Sequence, residues 1–260
     1  MKKGLKLPIS FKAHRKWVIA GVAASLIILI AIYVIWSMNT WSGYGAHYQS
    51  WRDGIKKTTD TALAMPMKTD QEKAAKIAAI SSVTNKITNE KAAVCKVSSL
   101  VGWQNFIGSY KTQQANCAKM VTLLETFSQK AHDMTNYFSD EKALTSVLGA
   151  QVNGGEELAE STWGAKLTAW QAAHDTINKS APSAAFKPVK STAVDKTAVV
   201  IQAWQDLISA NEAKSKAKFT EAQTKLNDSY GGIATIATVG AAQFKGVTDS
   251  LQSAYTAAFK

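Results

Sequence analysis

Histidines and carboxylates are the first candidates for chemistry in a sequence, because they bind metals and transfer protons. The four histidines include no pair spaced four residues apart, the spacing that places two metal ligands on one helix face. His174 falls on an apolar helix face, where a buried and hydrogen-bonded histidine is expected. The histidines therefore predict no metal site.

The densest carboxylates are Glu156, Glu157 and Glu160. Glu156 and Glu160 are one helical turn apart, a spacing at which two carboxylates can share a cation or act as acid and base. Acidic residues are also expected at the start of a helix, where the macrodipole favours negative charge, and we adopt this structural interpretation. No G-x-S-x-G, P-loop, G-x-G-x-x-G, H-E-x-x-H or EF-hand pattern occurs. We therefore expect a protein that is not an enzyme and that binds no cofactor or metal.

Cys95 and Cys117 are the only cysteines. Because both lie in the region predicted to be extracytoplasmic, where the environment is oxidising, we predict that they form a disulfide. In one unbroken helix their Cα atoms would be roughly 33 Å apart, whereas a disulfide requires about 4.4–6.8 Å. The chain must therefore reverse between them, and Gly102 and Gly108 are candidate break points. Two free thiols buried in the core are the alternative.

The composition excludes two broad classes of protein. The 260 residues carry 30 Lys and Arg against 19 Asp and Glu, and 46% of them are hydrophobic, which is too many for a disordered chain. Arg15 and Arg52 are the only arginines. Because nucleic-acid recognition relies on the planar fork of arginine, we expect no nucleic-acid partner.

Residues 17–36 contain no charged side chain. A helix of this length spans about 30 Å, the thickness of the hydrocarbon core of a bilayer. The segment therefore predicts a transmembrane helix, with the lipid bilayer as its partner. Aromatic residues stand at both ends of the segment, as membrane-interface anchors do: Trp17, Tyr33, Trp36 and Trp41.

The charges around this segment predict its orientation. Six basic residues and no acidic residue precede it: Lys2, Lys3, Lys6, Lys12, Arg15 and Lys16. This asymmetry predicts a cytoplasmic tail at 1–16 and an extracytoplasmic region from about residue 37 onward. A cleavable signal peptide has a shorter apolar stretch of about 7–15 residues, and a lipoprotein requires a cysteine directly after it. We therefore predict an uncleaved, single-pass anchor in the plasma (inner) membrane, and the lysine-rich, arginine-poor composition fits a bacterial source.

The extracytoplasmic region shows the apolar spacing of helices, with steps of three and four residues. The clearest series is Cys117, Met120, Leu124, Phe127, Ala131, Met134 and Phe138. Similar series surround Trp170 and Trp204, and no comparable stretch alternates with the period of two that a strand requires. We predict an all-α fold, in which six to eight helices form one elongated bundle or two stacked bundles.

Local signals predict where these helices begin and end. Thr69 and Glu72 fit a capping box at a helix start. Other signals predict a helix start at 139–141, a stop at 153–155, a loop at 180–188 and a break at 231–232. We divide the outer region into a helical part with the cysteine pair, 37–150, and C-terminal helical hairpins, 151–260.

Two groups of tryptophans are expected outside the membrane. Trp170 and Trp204 follow the helical apolar spacing and are expected in the core. Trp103 and Trp163 stand beside glycines near predicted helix ends. An exposed tryptophan there would be a partner contact, and burial in the core is the alternative.

These observations favour a non-enzymatic, membrane-anchored protein of the cell envelope, which binds another envelope or surface protein or serves as a scaffold. The second hypothesis is an extracytoplasmic sensor or ligand-binding module that acts through a partner membrane protein. The third is an enzyme of the cell wall or envelope. A fully packed core would favour the first hypothesis, and a pocket in the bundle with polar groups would favour the second. Converging carboxylates or histidines would favour the third.

Overall fold

The computed structural model describes residues 10–96, 108–152 and 160–259, and the side chains in these ranges except at 10–21, 37, 40–42, 108–110 and 152. This described part contains no β-strand, which confirms the all-α prediction. Six α-helices follow one another: α1 (Ser10–Ala64), α2 (Asp70–Val94), α3 (Gly108–Val152), α4 (Trp163–Lys179), α5 (Lys187–Glu212) and α6 (Lys216–Phe259). Two single-turn 3-10 helices, Glu160–Thr162 and Ala184–Phe186, precede α4 and α5.

The chain forms two compact units. The first unit consists of Met1–Lys57 and Glu90–Val121, and the second unit consists of Thr58–Asn89 and Thr122–Lys260. Because the limits of the units fall within α1, α2 and α3, each of these helices contributes residues to both. The domains predicted from the sequence, 37–150 and 151–260, stay predictions.

The first unit contains the disulfide between Cys95 and Cys117, whose Cα atoms are 5.9 Å apart. This bond confirms the predicted pairing. It also confirms that the chain reverses between the two cysteines, because a continuous helix would separate them by about 33 Å. α3 begins at Gly108, one of the two predicted break points, and Gly102 lies outside the described residues.

Three aromatic side chains on one face of α1 hold this disulfide-linked hairpin. The hydroxyl of Tyr44 donates a hydrogen bond to the carbonyl oxygen of Cys95 at 3.4 Å. Tyr48 donates to the side chain of Gln113 in α3, and the indole N–H of Trp51 donates to Glu90 in α2. Spacings of four and three residues place the three rings on one side of the helix, so α1 binds both arms of the hairpin.

The turn between α1 and α2 contains the predicted capping box. The backbone N–H of Glu72 donates to Thr69 Oγ1 at 3.2 Å, and the N–H of Thr69 donates to Glu72 Oε2 at 3.0 Å. The buried ammonium group of Lys76 donates to the carbonyl oxygens of Leu63 and Met65, at 2.7 and 3.0 Å. Lys76 thus satisfies carbonyl groups that the end of α1 would leave without partners.

The core of the second unit is made of the apolar helix faces that the sequence predicts. The residues of the α3 series that belong to this unit are all buried: Leu124, Phe127, Ala131, Met134 and Phe138. α5 packs against both α4 and α6, and Trp170 and Trp204 are buried as predicted. Their indole N–H groups both donate to the hydroxyl of Tyr230, at 3.0 and 3.2 Å. One tyrosine therefore satisfies two buried donors.

Two predicted helix boundaries are wrong. α3 continues through 139–141, and α6 continues through 231–232. At the first site the Asp140 carboxylate binds another part of the chain, because its Oδ2 accepts hydrogen bonds from the N–H and hydroxyl of Ser183 at 2.9 and 2.6 Å. At the second site the buried residues Leu226 and Ile236 flank the glycines. Their packing outweighs the helix-propensity cost of glycine, about 1 kcal/mol per residue.

α1 includes the predicted membrane segment and continues beyond it without a break. Within the described residues, no helix combines the length and the apolar character that crossing a membrane requires. The described side chains cover 22–36 of the predicted span, where the rings of Tyr33 and Trp36 lie 6.2 Å apart. The side chains of Trp17, Trp41 and the six N-terminal basic residues lie outside the described set. The span at 17–36 therefore stays a prediction.

Candidate functional site

A cleft of about 510 Å³ opens in the second unit between α3, the start of α5 and α6. We call it the α3/α6 cleft. Its volume falls within the range of small-molecule sites, about 300–1,000 Å³. Its most buried lining residues are large and mainly apolar: Tyr137, Leu148, Phe186, Val189 and Ile236.

Small residues on α6 leave the space that the cleft occupies. Ala234, Ala237, Gly240 and Ala241 line it on the α6 side. The opposite wall comes from the larger side chains of α3 and from Phe186 in the 3-10 helix. The hydroxyl of Tyr137 crosses to α6 and donates a hydrogen bond to the carbonyl oxygen of Gly240 at 2.6 Å. This bond connects the two walls of the cleft.

Three aromatic rings line the same cleft. The ring centroids of Tyr137 and Phe186 are 5.2 Å apart with an interplanar angle of 67°. The centroids of Tyr137 and Phe244 are 5.7 Å apart with an angle of 39°. The rings are therefore inclined to one another, as aromatic pairs prefer, and we call them the aromatic wall of the cleft.

Glu141 is the one charged residue among the described residues that line the cleft. Its Oε2 lies 3.5 Å from the ammonium nitrogen of Lys73, and both side chains are more than one-third exposed. Burial, and to a smaller extent the charge of Glu141, raise the pKa of Tyr137 to about 12. The Tyr137 hydroxyl is therefore neutral at physiological pH and keeps the proton that it donates to Gly240.

A smaller cavity of about 80 Å³ lies beside the cleft and shares Leu144 and Phe186 with it. The polar groups around it are already bound within the chain. Asp140 accepts the two hydrogen bonds from Ser183, and the ammonium group of Lys190 donates to the carbonyl oxygens of Asn178 and Ser180. These bonds fasten the loop between α4 and α5, so the polar groups around the cavity have a structural role.

Among the described residues, those that the sequence suggested for acid–base or metal chemistry do not converge. Glu156 and Glu157 lie outside the described residues, and Glu160 accepts a hydrogen bond from Asn211. His174 is half-buried rather than buried, and its Nδ1 lies 2.9 Å from the hydroxyl oxygen of the buried Thr197, so the expected hydrogen bond is present. In the described ranges, no group of three or more His, Cys, Asp or Glu side chains is placed to hold a metal ion.

The two tryptophans predicted as partner contacts stay predictions. Trp103 lies outside the described residues. Trp163 is half-buried, and its ring stacks on Phe219 with centroids 5.9 Å apart and an interplanar angle of 25°. Part of its surface is therefore used within the second unit, and the remainder is open to solvent.

The α3/α6 cleft is not predictable from the sequence pattern alone. Its only sequence signal is the run of small residues in α6 at positions 234, 237, 240 and 241. The same pattern is typical of helices that pack closely together, so the fold must be known before it indicates an open space. No family model, curated protein or solved structure matches this chain.

Proposed function

We propose that this protein is a membrane-anchored, extracytoplasmic ligand-binding module that takes a small, largely apolar molecule into the α3/α6 cleft. The observation that carries the proposal is the cleft itself. It has the size and the mainly apolar lining of a ligand site, together with a few polar groups: Tyr137, Glu141 and Thr145. A partner membrane protein would receive the signal that the cleft is occupied.

The surface of the second unit supports ligand binding more than the scaffold hypothesis. Protein interfaces are usually built around exposed aromatic or large aliphatic anchors. Of the twelve exposed large apolar side chains in the described part of the chain, eleven lie between Val22 and Met38, and the twelfth is Val199. Val199 is therefore the one exposed large apolar side chain in the described part of the second unit, whereas the cleft offers an apolar site. The half-buried Trp163 is still a possible aromatic contact for a protein partner.

Filling the cleft tests the proposal. Ala237 is exposed and lines the cleft, so Ala237→Phe places a ring in the opening without displacing a core residue. We expect this change to weaken binding of a neutral apolar fluorescent probe at least about tenfold, because the ring and the probe compete for the same volume. Fluorescence titration of the full-length protein in nanodiscs measures the effect.

Ala242→Phe is the matched control, because Ala242 is exposed on the same helix and is not a lining residue. It should retain wild-type affinity. Equal loss in both variants, or a wild-type protein that binds no apolar probe, would contradict ligand binding in the cleft and would return the scaffold hypothesis to first place.

The proposed anchor is the apolar part of α1. Its exposed side chains between Val22 and Met38 point in all directions around the helix, a distribution typical of a helix surrounded by lipid or protein. The basic residues before it and the aromatic residues at its ends agree with a single-pass span at 17–36 and a cytoplasmic N-terminus. These features support a location in the plasma membrane, with the chain from about residue 37 onward presented outside.

Protease accessibility tests this topology. We expect protease added to intact spheroplasts to digest the region after residue 37 and to leave a membrane-bound N-terminal fragment. Disruption of the spheroplasts should be unnecessary for this digestion. Protection of the α3–α6 region until the cells are broken, or recovery of the full chain in the soluble fraction, would show that the anchor or its orientation is wrong.

A further inference from the structure

We propose that the α3/α6 cleft binds an organic cation, namely a quaternary ammonium group that carries an apolar tail. This inference rests on the proposed ligand-binding function and adds the charge and chemical class of the ligand. It follows from the combination of one carboxylate, three aromatic rings and an otherwise apolar lining in one cleft.

The charge of the described lining is negative. Glu141 contributes its carboxylate, and the described lining contains no lysine, arginine or histidine. An anionic ligand would therefore be placed near a negative charge in a partly desolvated site, where repulsion is stronger than in water. A cation would be attracted by the same group.

The ion pair between Glu141 and Lys73 does not prevent this attraction. The two side chains are 39% and 34% exposed, and the nitrogen–oxygen distance is 3.5 Å. Exposed pairs of this kind contribute only about 0–1 kcal/mol. A bound cation can therefore replace Lys73 as the partner of Glu141, and Lys73 can return to solvent.

The aromatic wall selects the kind of cation. The rings of Tyr137, Phe186 and Phe244 line the cleft, and aromatic faces attract cations through their quadrupole. A primary ammonium group would lose hydrogen bonds to water in such an apolar lining. A quaternary ammonium group has no N–H to leave unsatisfied, so it suits a cleft that offers rings and one carboxylate.

The negative charge of Glu141 extends into the buried part of the cleft. Together with the larger effect of burial, it raises the pKa of Tyr137. The Tyr137 hydroxyl donates to the carbonyl oxygen of Gly240 at 2.6 Å, so its proton is directed toward α6. The field that acts on this hydroxyl would also act on a cation bound in the cleft beside the rings.

A matched series of six-carbon probes tests the inference. Hexyltrimethylammonium, hexanol and hexanoate share a tail and differ in the charge of the head. Isothermal titration uses full-length protein in nanodiscs of neutral, choline-free lipid, with the heat of empty nanodiscs subtracted. We expect the cation to bind about tenfold more tightly than hexanol, a difference within reach of cation–π and carboxylate attraction. Hexanoate should bind most weakly.

Glu141→Gln should remove this preference, so that hexyltrimethylammonium and hexanol bind within about twofold of one another. Glu221→Gln is the matched control, because Glu221 is also paired with a lysine, Lys225, and does not line the cleft. It should behave as wild type. Circular dichroism verifies that both variants are folded.

The outcomes separate this inference from the proposed function. If hexanol binds in wild type and fails to bind in Ala237→Phe, but the cation shows no preference or hexanoate binds most tightly, the charge assignment is overturned and ligand binding stands. If Glu141→Gln keeps the full preference for the cation, the carboxylate is not its origin and the assignment is also overturned. If none of the three probes binds, both proposals fail.

Discussion

Trp170→Ala is expected to lower the free energy of unfolding by about 3–5 kcal/mol, the usual cost of removing a large buried aromatic side chain. Trp170 belongs to α4 and is completely buried, and its indole N–H donates to the hydroxyl of Tyr230 at 3.0 Å. The substitution leaves a cavity and removes one of the two donors to that hydroxyl. Urea unfolding followed by far-ultraviolet circular dichroism measures the loss.

Trp163→Ala is the matched control for this prediction. Trp163 lies in the same helix, is half-buried, and its ring stacks on Phe219. Its removal should cost only about 1–2 kcal/mol, from partial burial and one ring contact. Equal costs for the two substitutions would contradict the different burial of the two indoles.

Removing the disulfide is expected to destabilise the protein by about 3 kcal/mol in the double variant Cys95→Ala, Cys117→Ala. The cysteines are 22 positions apart, and closing a loop of this size restricts the unfolded chain by about that free energy. The effect should be concentrated in the first unit. Because Tyr44 binds the carbonyl of Cys95, hydrogen exchange should become faster in α1 around Tyr44, Tyr48 and Trp51.

Reduction provides the control for this second prediction. A reducing agent should lower the stability of the wild-type protein to that of the double variant and should not change the variant. A wild-type protein that is insensitive to reduction, or an unreduced digest with both cysteines free to react with iodoacetamide, would contradict the disulfide.

The sequence predicted the core because its signal is local and repeated. The steps of three and four residues from Cys117 to Phe138 place the seven side chains of this series on one face of α3, and all seven are buried. The capping box at Thr69 and Glu72 was also predictable, because both partners lie within one turn of helix. Periodicity and short-range capping therefore predicted the helical class and the start of α2.

The true course of α3 and the α3/α6 cleft depend on contacts between distant parts of the chain, so local sequence patterns do not predict them. Asp140 was assigned to a helix start, but it binds Ser183, which is 43 positions away. The cleft depends on the position of Phe186 and on the hydrogen bond between Tyr137 and Gly240, which are 103 positions apart. Glu141 has an ordinary sequence context. Its significance appears only when three aromatic rings are found in the same cleft.

The uninterrupted course of α1 limits how far the disulfide hairpin can stand above the lipid. With the anchor as proposed, Trp36 marks the outer edge of the hydrocarbon core, and Tyr44 follows it by two turns of helix. At about 1.5 Å per residue, Tyr44 and Trp51 lie at most about 12 and 22 Å above that edge. Tilting of the helix would only lower them. The disulfide hairpin is therefore held close to the headgroup layer, so a small reducing agent should reach the disulfide more readily than an antibody reaches the surface around it.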